Sequence, residues 1–331
     1  MRPTVMPKPE NLPDAARHPM LGIVILTAMC IVVTVVAVAA SGLKFANAER
    51  FFLPIGGLLA GFLTLNAYQY VRMPENKKLI LVVNMTAIYI VMTVVMMTYQ
   101  YCLALADAYE ISEVIEKIDS YLGFDWLTFA MKANSIPYLS EALGFCYQNW
   151  MREFILVFAA LVLLSRGDDL RELTVTYILA GMTTLTVSGL VDAKSYDAVA
   201  SYAIGGLHHP SGVAPEYLAK IENLRHGVDS VMDYHNIIGL VSFPSFHAGA
   251  AVLLASATRN LGWFSLPFLV FNALVLVGTV TEGGHNLTDV IAGGVISIAA
   301  IALVQSCRPA DALAKMAERV ALKAKVPVRA A

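Results

Sequence analysis

The feature that most constrains this chain is a series of apolar runs, each about as long as the hydrocarbon core of a bilayer is thick. Crossing that core as a helix takes about 20 residues. Runs at 20–41, 51–71, 79–104, 145–165, 173–192, 244–261, 265–282 and 288–306 fit that scale. In hydrocarbon every backbone polar group must be satisfied within the segment, so runs of this length read as helices packed side by side. Composition agrees: 57% of residues are hydrophobic, 15% are charged and the mean hydropathy is +0.64, more apolar than one soluble core requires. The expected fold is all-α, a polytopic membrane helical bundle of about eight transmembrane helices. The fourth run is interrupted by Arg152 and Glu153, which either pair at the interface or face the bundle interior, so a count of seven stays open beside eight.

The polar segment 1–19, with Pro9, Pro13 and Arg17, leads into a first run that is long for a signal peptide and lacks a convincing A-x-A cleavage site before the next helix; it reads as a retained anchor. Basic residues set the orientation, because segments kept in the cytoplasm carry the Lys and Arg excess. With the N-terminus inside, the inside segments hold Arg2, Lys8, Arg17, Arg72, Lys77, Lys78, Arg166, Arg171 and Arg259, and the tail adds Arg308, Lys315, Arg319, Lys323, Lys325 and Arg329. The longer outside loops hold Lys44, Arg50, Lys117, Lys132, Lys194, Lys220 and Arg225. An even number of spans with both termini cytoplasmic follows. A formal charge of -2 leaves no basic excess for nucleic acid, which is excluded as a partner class. Cys30, Cys102, Cys146 and Cys307 lie far apart without a CxxC pair and read as separate thiols, not as a disulfide or zinc framework.

Two outside segments are long. Residues 105–144 set Asp107, Glu110, Glu113, Glu116 and Asp119 among Ile111, Val114, Ile115, Ile118 and Leu122 at helical spacing, the pattern of an amphipathic helix on the outer interface. Residues 193–243 carry Gly205, Gly206, Pro210, Gly212 and Pro215 and then a short helical stretch near 216–233, a structured loop and not another span. The tail over 310–325 reads as a basic amphipathic helix against anionic head groups. The domain plan is a cytoplasmic segment 1–19, a transmembrane hairpin 20–78, a catalytic membrane domain 79–306 and the tail 307–331.

Polar groups at helix ends carry weight in such a chain, because ionisable side chains near hydrocarbon are costly and generally have a task. They gather on the outside. Ser242-Phe243-Pro244-Ser245-Phe246-His247 opens the sixth run, with Ser242 as an N-cap and Pro244 in the first turn. A helix start offers unpaired amides and positive potential to an anion, and Ser245 adds a hydroxyl. Glu282-Gly283-Gly284-His285-Asn286-Leu287-Thr288-Asp289 turns the seventh run into the eighth. His285 and Asp289, four apart, share a face on a helix, so the carboxylate orients one ring nitrogen and leaves the other as a nucleophile. Gly283 and Gly284 let a phosphate approach the backbone. Arg225, in the loop, matches phosphate oxygens bidentately. Taken singly, His208, His209, His226 and His235 read as solvated side chains.

These residues resemble the type 2 phosphatidic acid phosphatase and haloperoxidase superfamily, whose pattern is Lys-x6-Arg-Pro, then Pro-Ser-Gly-His, then Ser-Arg-x5-His-x3-Asp. Pro244-Ser245-Phe246-His247 matches the second motif with Phe for Gly, and His285-x3-Asp289, with Gly293 beyond it, matches the end of the third. The Phe variant and Leu122-Gly123-Phe124-Asp125-Trp126 are similar to the inositol phosphorylceramide synthase-like branch. The chain departs at Thr279, where the third-motif Arg would stand, and at Leu218 and His226, where the first-motif Lys and Pro would stand, with Lys220 out of register. The resemblance implies a six-helix catalytic core over about 79–306 and a membrane lipid phosphatase needing neither metal nor other cofactor. His285 forms a phosphohistidine, Asp289 holds its ring, and His247 protonates the leaving alcohol and then activates the acceptor. Arg225, Ser245 and the amides around Phe246 and Gly284 bind the phosphate. The alternative is a lipid phosphotransferase passing a phosphoryl-headgroup to a lipid alcohol, which Thr279 favours because a diester carries less charge. A third reading, a transporter or lipid-binding scaffold, lacks the broken helices of a transport path. The expected partners are a phosphorylated lipid and the bilayer, with the site facing the periplasm of a bacterial inner membrane. The pattern carries no signal for an oligomeric state.

Overall fold

The computed structural model describes residues 19–73, 76–193, 215–228, 230–234 and 237–307. The N-terminal segment, the tail, His208, His209, His235, Lys194 and the loop residues Gly205, Gly206, Pro210 and Gly212 lie outside the described residues. Eleven α-helices are present among those described: α1 (Pro19–Ser41), α2 (Ala48–Arg72), α3 (Lys77–Ala104), α4 (Ser112–Tyr121), α5 (Trp126–Ser135), α6 (Leu139–Leu163), α7 (Gly167–Leu190), α8 (Pro215–Arg225), α9 (Phe246–Thr258), α10 (Ser265–Thr281) and α11 (Leu287–Ser306).

Among the described residues six helices are long and apolar enough to cross a membrane: Met20–Ser41, Ala48–Gln69, Lys77–Ala104, Gly167–Leu190, Gly262–Thr281 and Leu287–Ser306. The all-α membrane bundle holds; the described residues supply these six candidates for the eight spans expected from the sequence, and α6 and α9 lie over the other two. The two other runs do form helices, and each falls short for a visible reason. Helix α9 has 13 residues, starting after its cap Ser245 and ending at Thr258 before Arg259. Helix α6 has the length but carries Arg152 and Glu153. Those two residues do not pair. Arg152 is exposed and donates to Asn149 Oδ1 at 2.5 Å, whereas Glu153 is buried and accepts from Asn272 Nδ2 of α10 at 2.6 Å. Of the alternatives left open by the sequence, Glu153 takes the bundle interior.

The core sits where α7 meets α3, α9 and α11 and where α6 packs on α10. Met85, Met92, Val157, Leu161, Leu170, Ile178 and Leu254 are among its buried members. Helices α1 and α2 lie on the flank against α3, and α2 keeps Leu53, Leu63 and Val71 exposed, as a lipid-facing helix does. At one end of the bundle a polar cluster ties three helices: Arg259 Nη2 donates to both Glu172 oxygens at 3.0 and 3.1 Å, Gln305 Nε2 to Glu172 at 2.9 Å, and Asn260 Nδ2 to Asp169 at 3.1 Å.

The other end carries the long connections, and four very short strands join them. Strand β1 (Lys44–Ala46) pairs in parallel with β4 (Val231–Asp233), and β2 (Tyr109–Glu110) with β3 (Val191–Asp192). The helical stretch expected near 216–233 therefore stops at Arg225 and becomes a strand. The amphipathic segment 105–144 is two helices, broken where Gly123 adopts a left-handed φ of 70°. Its apolar face points outward: Val114, Ile118 and Leu122 are exposed, while Ile115 and Asp119 are buried against the bundle.

Candidate functional site

Two helix starts, those of α9 and α11, meet beneath α4 and α5. The α9 start is set by Ser245, whose backbone is extended (φ -68°, ψ 119°) and whose Oγ accepts from Ala248 N at 3.4 Å. The cap is thus Ser245 and not Ser242, and Pro244 precedes the helix; a proline disfavours helical backbone in the residue before it, so the chain enters extended. His247 is the second helical residue. Its ring stacks on Tyr147 of α6, with centroids 4.4 Å apart, and meets the edge of Trp150 at 5.5 Å. Phe246 packs its ring on Trp150 and Tyr177, which leaves its backbone amide, with that of His247, in the unpaired first turn.

The α11 start brings His285 to Asp289, though not as two residues of one helix face. His285 lies just before the N-cap Asn286, and the chain folds back through a capping box in which Asp289 accepts from Asn286 N at 3.0 Å. The same Oδ2 lies 3.3 Å from His285 Nδ1, and both side chains are buried. In that arrangement the carboxylate holds the Nδ1 proton and leaves Nε2 as the lone-pair nitrogen. Gly284 is buried with φ 65°, so this bend needs a residue without a Cβ.

The two starts are locked together by backbone. Ser245 N donates to Asp289 O at 3.0 Å, and Gly293 lies so close that a Cβ there would stand 2.1 Å from Ser245 O. Ser297 Oγ donates to Gly249 O at 2.9 Å one turn further along. The histidines are linked across the site by Tyr147. Its ring carries His247, and its hydroxyl oxygen would lie 2.8 Å from a Cβ on Gly283, with His285 Cδ2 at 3.0 Å from the same point. Gly283 is therefore fixed by crowding between the two rings.

The cations are less concentrated than the sequence pattern implies. Thr279 is fully buried and donates back to Val275 O at 2.7 Å, so its hydroxyl is committed to its own helix. Arg225 forms a half-buried ion pair with Asp192, whose strand partner is Glu110. Burial lowers the proton affinity of that guanidinium and nearby Glu110 raises it. Arg225 borders a recess between the ends of α3 and α7, with Ser188 and Gly189; neither histidine lines that recess. His226 is exposed, and the side chain of Lys220 is outside the described residues. At the rim, Glu282 Oε2 would lie 3.5 Å from a Cβ placed on Gly144 of α6, and burial pushes the Glu282 pKa up. Among the described residues no cluster of three or more His, Cys, Asp or Glu side chains is arranged to hold a metal ion.

Sequence reasoning missed Tyr147 and Trp150, because an aromatic pair three apart on an apolar helix is ordinary core until its neighbour is known. It also missed Asp119, one acid among five on the outer segment, whose carboxylate is buried on the first turn of α11.

Comparison with curated proteins and with solved structures finds no match. A family model described as PAP2 superfamily matches residues 113–303, from the first outer helix through nearly all of α11, and thus takes in both histidines, Asp289, Ser245 and the outer helices above them. With more than half of the chain covered by that match, this membrane protein belongs to the PAP2 superfamily.

Proposed function

We propose that the chain is a membrane lipid phosphatase that hydrolyses a phosphate ester of a lipid through a phosphohistidine on His285. The observation that carries this reading is the His285 Nδ1 to Asp289 Oδ2 contact of 3.3 Å, set beside the open first turn of α9. His285 Nε2 attacks phosphorus in line, the P–O bond to the lipid breaks, and His247 gives the leaving oxygen its proton. Water, deprotonated by His247, then attacks the phosphohistidine and releases phosphate. Asp289 stabilises the imidazolium formed in the first step. The amides of Phe246 and His247 and the positive end of α9 face the equatorial oxygens as charge shifts onto them. This route asks nothing of a metal.

A second reading, transfer of a phosphoryl-headgroup to a lipid alcohol, is favoured by one feature. The buried, self-bonded Thr279 and the Asp192-paired Arg225 leave little cationic charge for a monoester dianion, and a diester needs less. Orientation follows the basic residues: the site end faces the periplasm of a bacterial inner membrane and both termini are cytoplasmic.

The test is purified protein in vesicles with a panel of phosphate-bearing lipids, with and without a lipid alcohol, and without added metal. Free phosphate identifies the phosphatase and a new lipid phosphodiester the transferase. His285→Ala and His247→Ala abolish either product while the protein still folds. Full turnover in both variants, or turnover only with a divalent metal, overturns the reading.

A further inference from the structure

The outer helices α4 and α5 have no role in the chemistry above, yet both reach the turn that carries His285. Asp119 is 5% exposed on a helix whose Val114 and Ile118 are 54% and 40% exposed. One carboxylate oxygen accepts from Leu287 N at 2.8 Å; the other accepts from Thr288 N at 2.8 Å and from the Thr288 hydroxyl. The Leu122–Trp126 motif then explains itself as the continuation of this contact. Asp119 O accepts from Phe124 N at 2.9 Å around the left-handed Gly123, Asp125 caps α5 by accepting from Thr128 N at 2.7 Å, and Trp126 Nε1 donates to Val280 O at 3.0 Å. One side chain of this brace grips the end of α10 and another the start of α11.

We propose that Asp119 is a positioning residue for the His285–Asp289 pair: its carboxylate, delivered from α4, holds the first turn of α11 where Asp289 meets the His285 ring. The inference rests on the reading of His285 as nucleophile. The two oxygens are used separately, so an amide, with one oxygen and an NH2 in place of the other, sets a donor against the Leu287 amide. Asp119 also occupies the anion position at the start of α11, where unpaired amides and dipole would otherwise draw a phosphate. The start of α9 is thereby left as the phosphate end, and the nucleophile keeps its own helix terminus neutralised.

The experiment compares wild type, Asp119→Ala, Asp119→Asn, Trp126→Phe and Gly294→Ala in vesicles, reading kcat and KM separately and following the His285 Nδ1–H proton by NMR on histidine-labelled protein. A misplacement of about 1 Å in a reacting group costs about 100-fold in rate, so both Asp119 variants lose kcat on that order. Their KM stays within about threefold, since a positioning loss acts on the transition state more than on ground-state binding. The Nδ1–H resonance shifts or vanishes in both, Trp126→Phe shows a smaller change of the same kind, and Gly294→Ala behaves as wild type. An unchanged resonance and kcat in both Asp119 variants overturns the proposal. So does a loss that tracks unfolding in both while Trp126→Phe keeps wild-type kcat and resonance. If wild type turns over no lipid, the proposed function falls, and the inference is then decided by the resonance alone.

Discussion

Replacing Gly293 by Ala probes the joint on which the whole site depends. A methyl group there would stand 2.1 Å from the carbonyl oxygen of Ser245, 3.0 Å from its carbonyl carbon and 3.3 Å from its nitrogen. Every atom met is backbone, so no side chain can swing aside, and α9 and α11 must part by about 1 Å before even a tight contact is restored. That displacement pulls at the Ser245 N to Asp289 O hydrogen bond of 3.0 Å and carries His247 away from His285. Overpacking of this kind costs about 1–3 kcal/mol of stability, and a shift of about 1 Å between reacting groups costs about 100-fold in turnover. The neighbouring Gly294 is the internal control, because a methyl group there meets only Val252 Cγ2 at an ordinary 3.8 Å. Thermal unfolding in detergent and phosphate release from lipid vesicles read the two effects for both variants. Gly293→Ala with the stability and turnover of Gly294→Ala would refute the reasoning.

Other outcomes follow from the same contacts. Arg259→Met strips Glu172 of its two-pronged partner and lowers unfolding free energy in detergent by about 2 kcal/mol, between the surface and buried regimes; making Met at both positions recovers part of the loss, and equal stability of all three proteins contradicts this. Tyr147→Ala removes the surface on which His247 stacks and lowers turnover with little change in melting temperature, whereas Tyr147→Phe keeps most of it; equal activity of the two would show that the ring does not hold His247. Glu282 titrates above the ordinary carboxylate range because burial disfavours its charge. Its contribution to stability is therefore full below the unfolded-state pKa and is lost as pH rises through the raised folded value. Melting temperature against pH should show that fall in wild type and not in Glu282→Gln, and parallel curves would contradict it.

How much was legible in the sequence follows from what each signal depends on. Spans such as 79–104 and 288–306 are readable because hydrocarbon leaves the backbone one solution, and the observed helices start and stop within two residues of those limits. Span 244–261 overreaches the helix at both ends, which Ser245 and Arg259 cap; Ser242 and Ser245 are equivalent as caps on paper, and only the extended backbone of Ser245 and its bond from Ala248 N distinguish them. His285 and Asp289 were paired by spacing, and the pairing exists in the structure, but through a capping box before the helix and not along its face. Asp119 and Trp126 were invisible as site residues because their partners, Leu287 N, Thr288 N and Val280 O, are backbone groups more than 150 positions away. Backbone partners leave no mark in residue identity. The commitment of Arg225 to Asp192 was equally hidden, since a guanidinium matches a carboxylate as well as it matches a phosphate.

The central claim is a covalent phosphoryl group on His285, and trapping it is the most direct test. Wild-type protein in vesicles is mixed with a lipid carrying labelled phosphorus, quenched in base within the first turnover, digested and mapped. The account predicts an acid-labile, base-stable label on the peptide containing His285, absent in His285→Ala. Label on another residue, or turnover by His285→Ala at the wild-type rate, would contradict it.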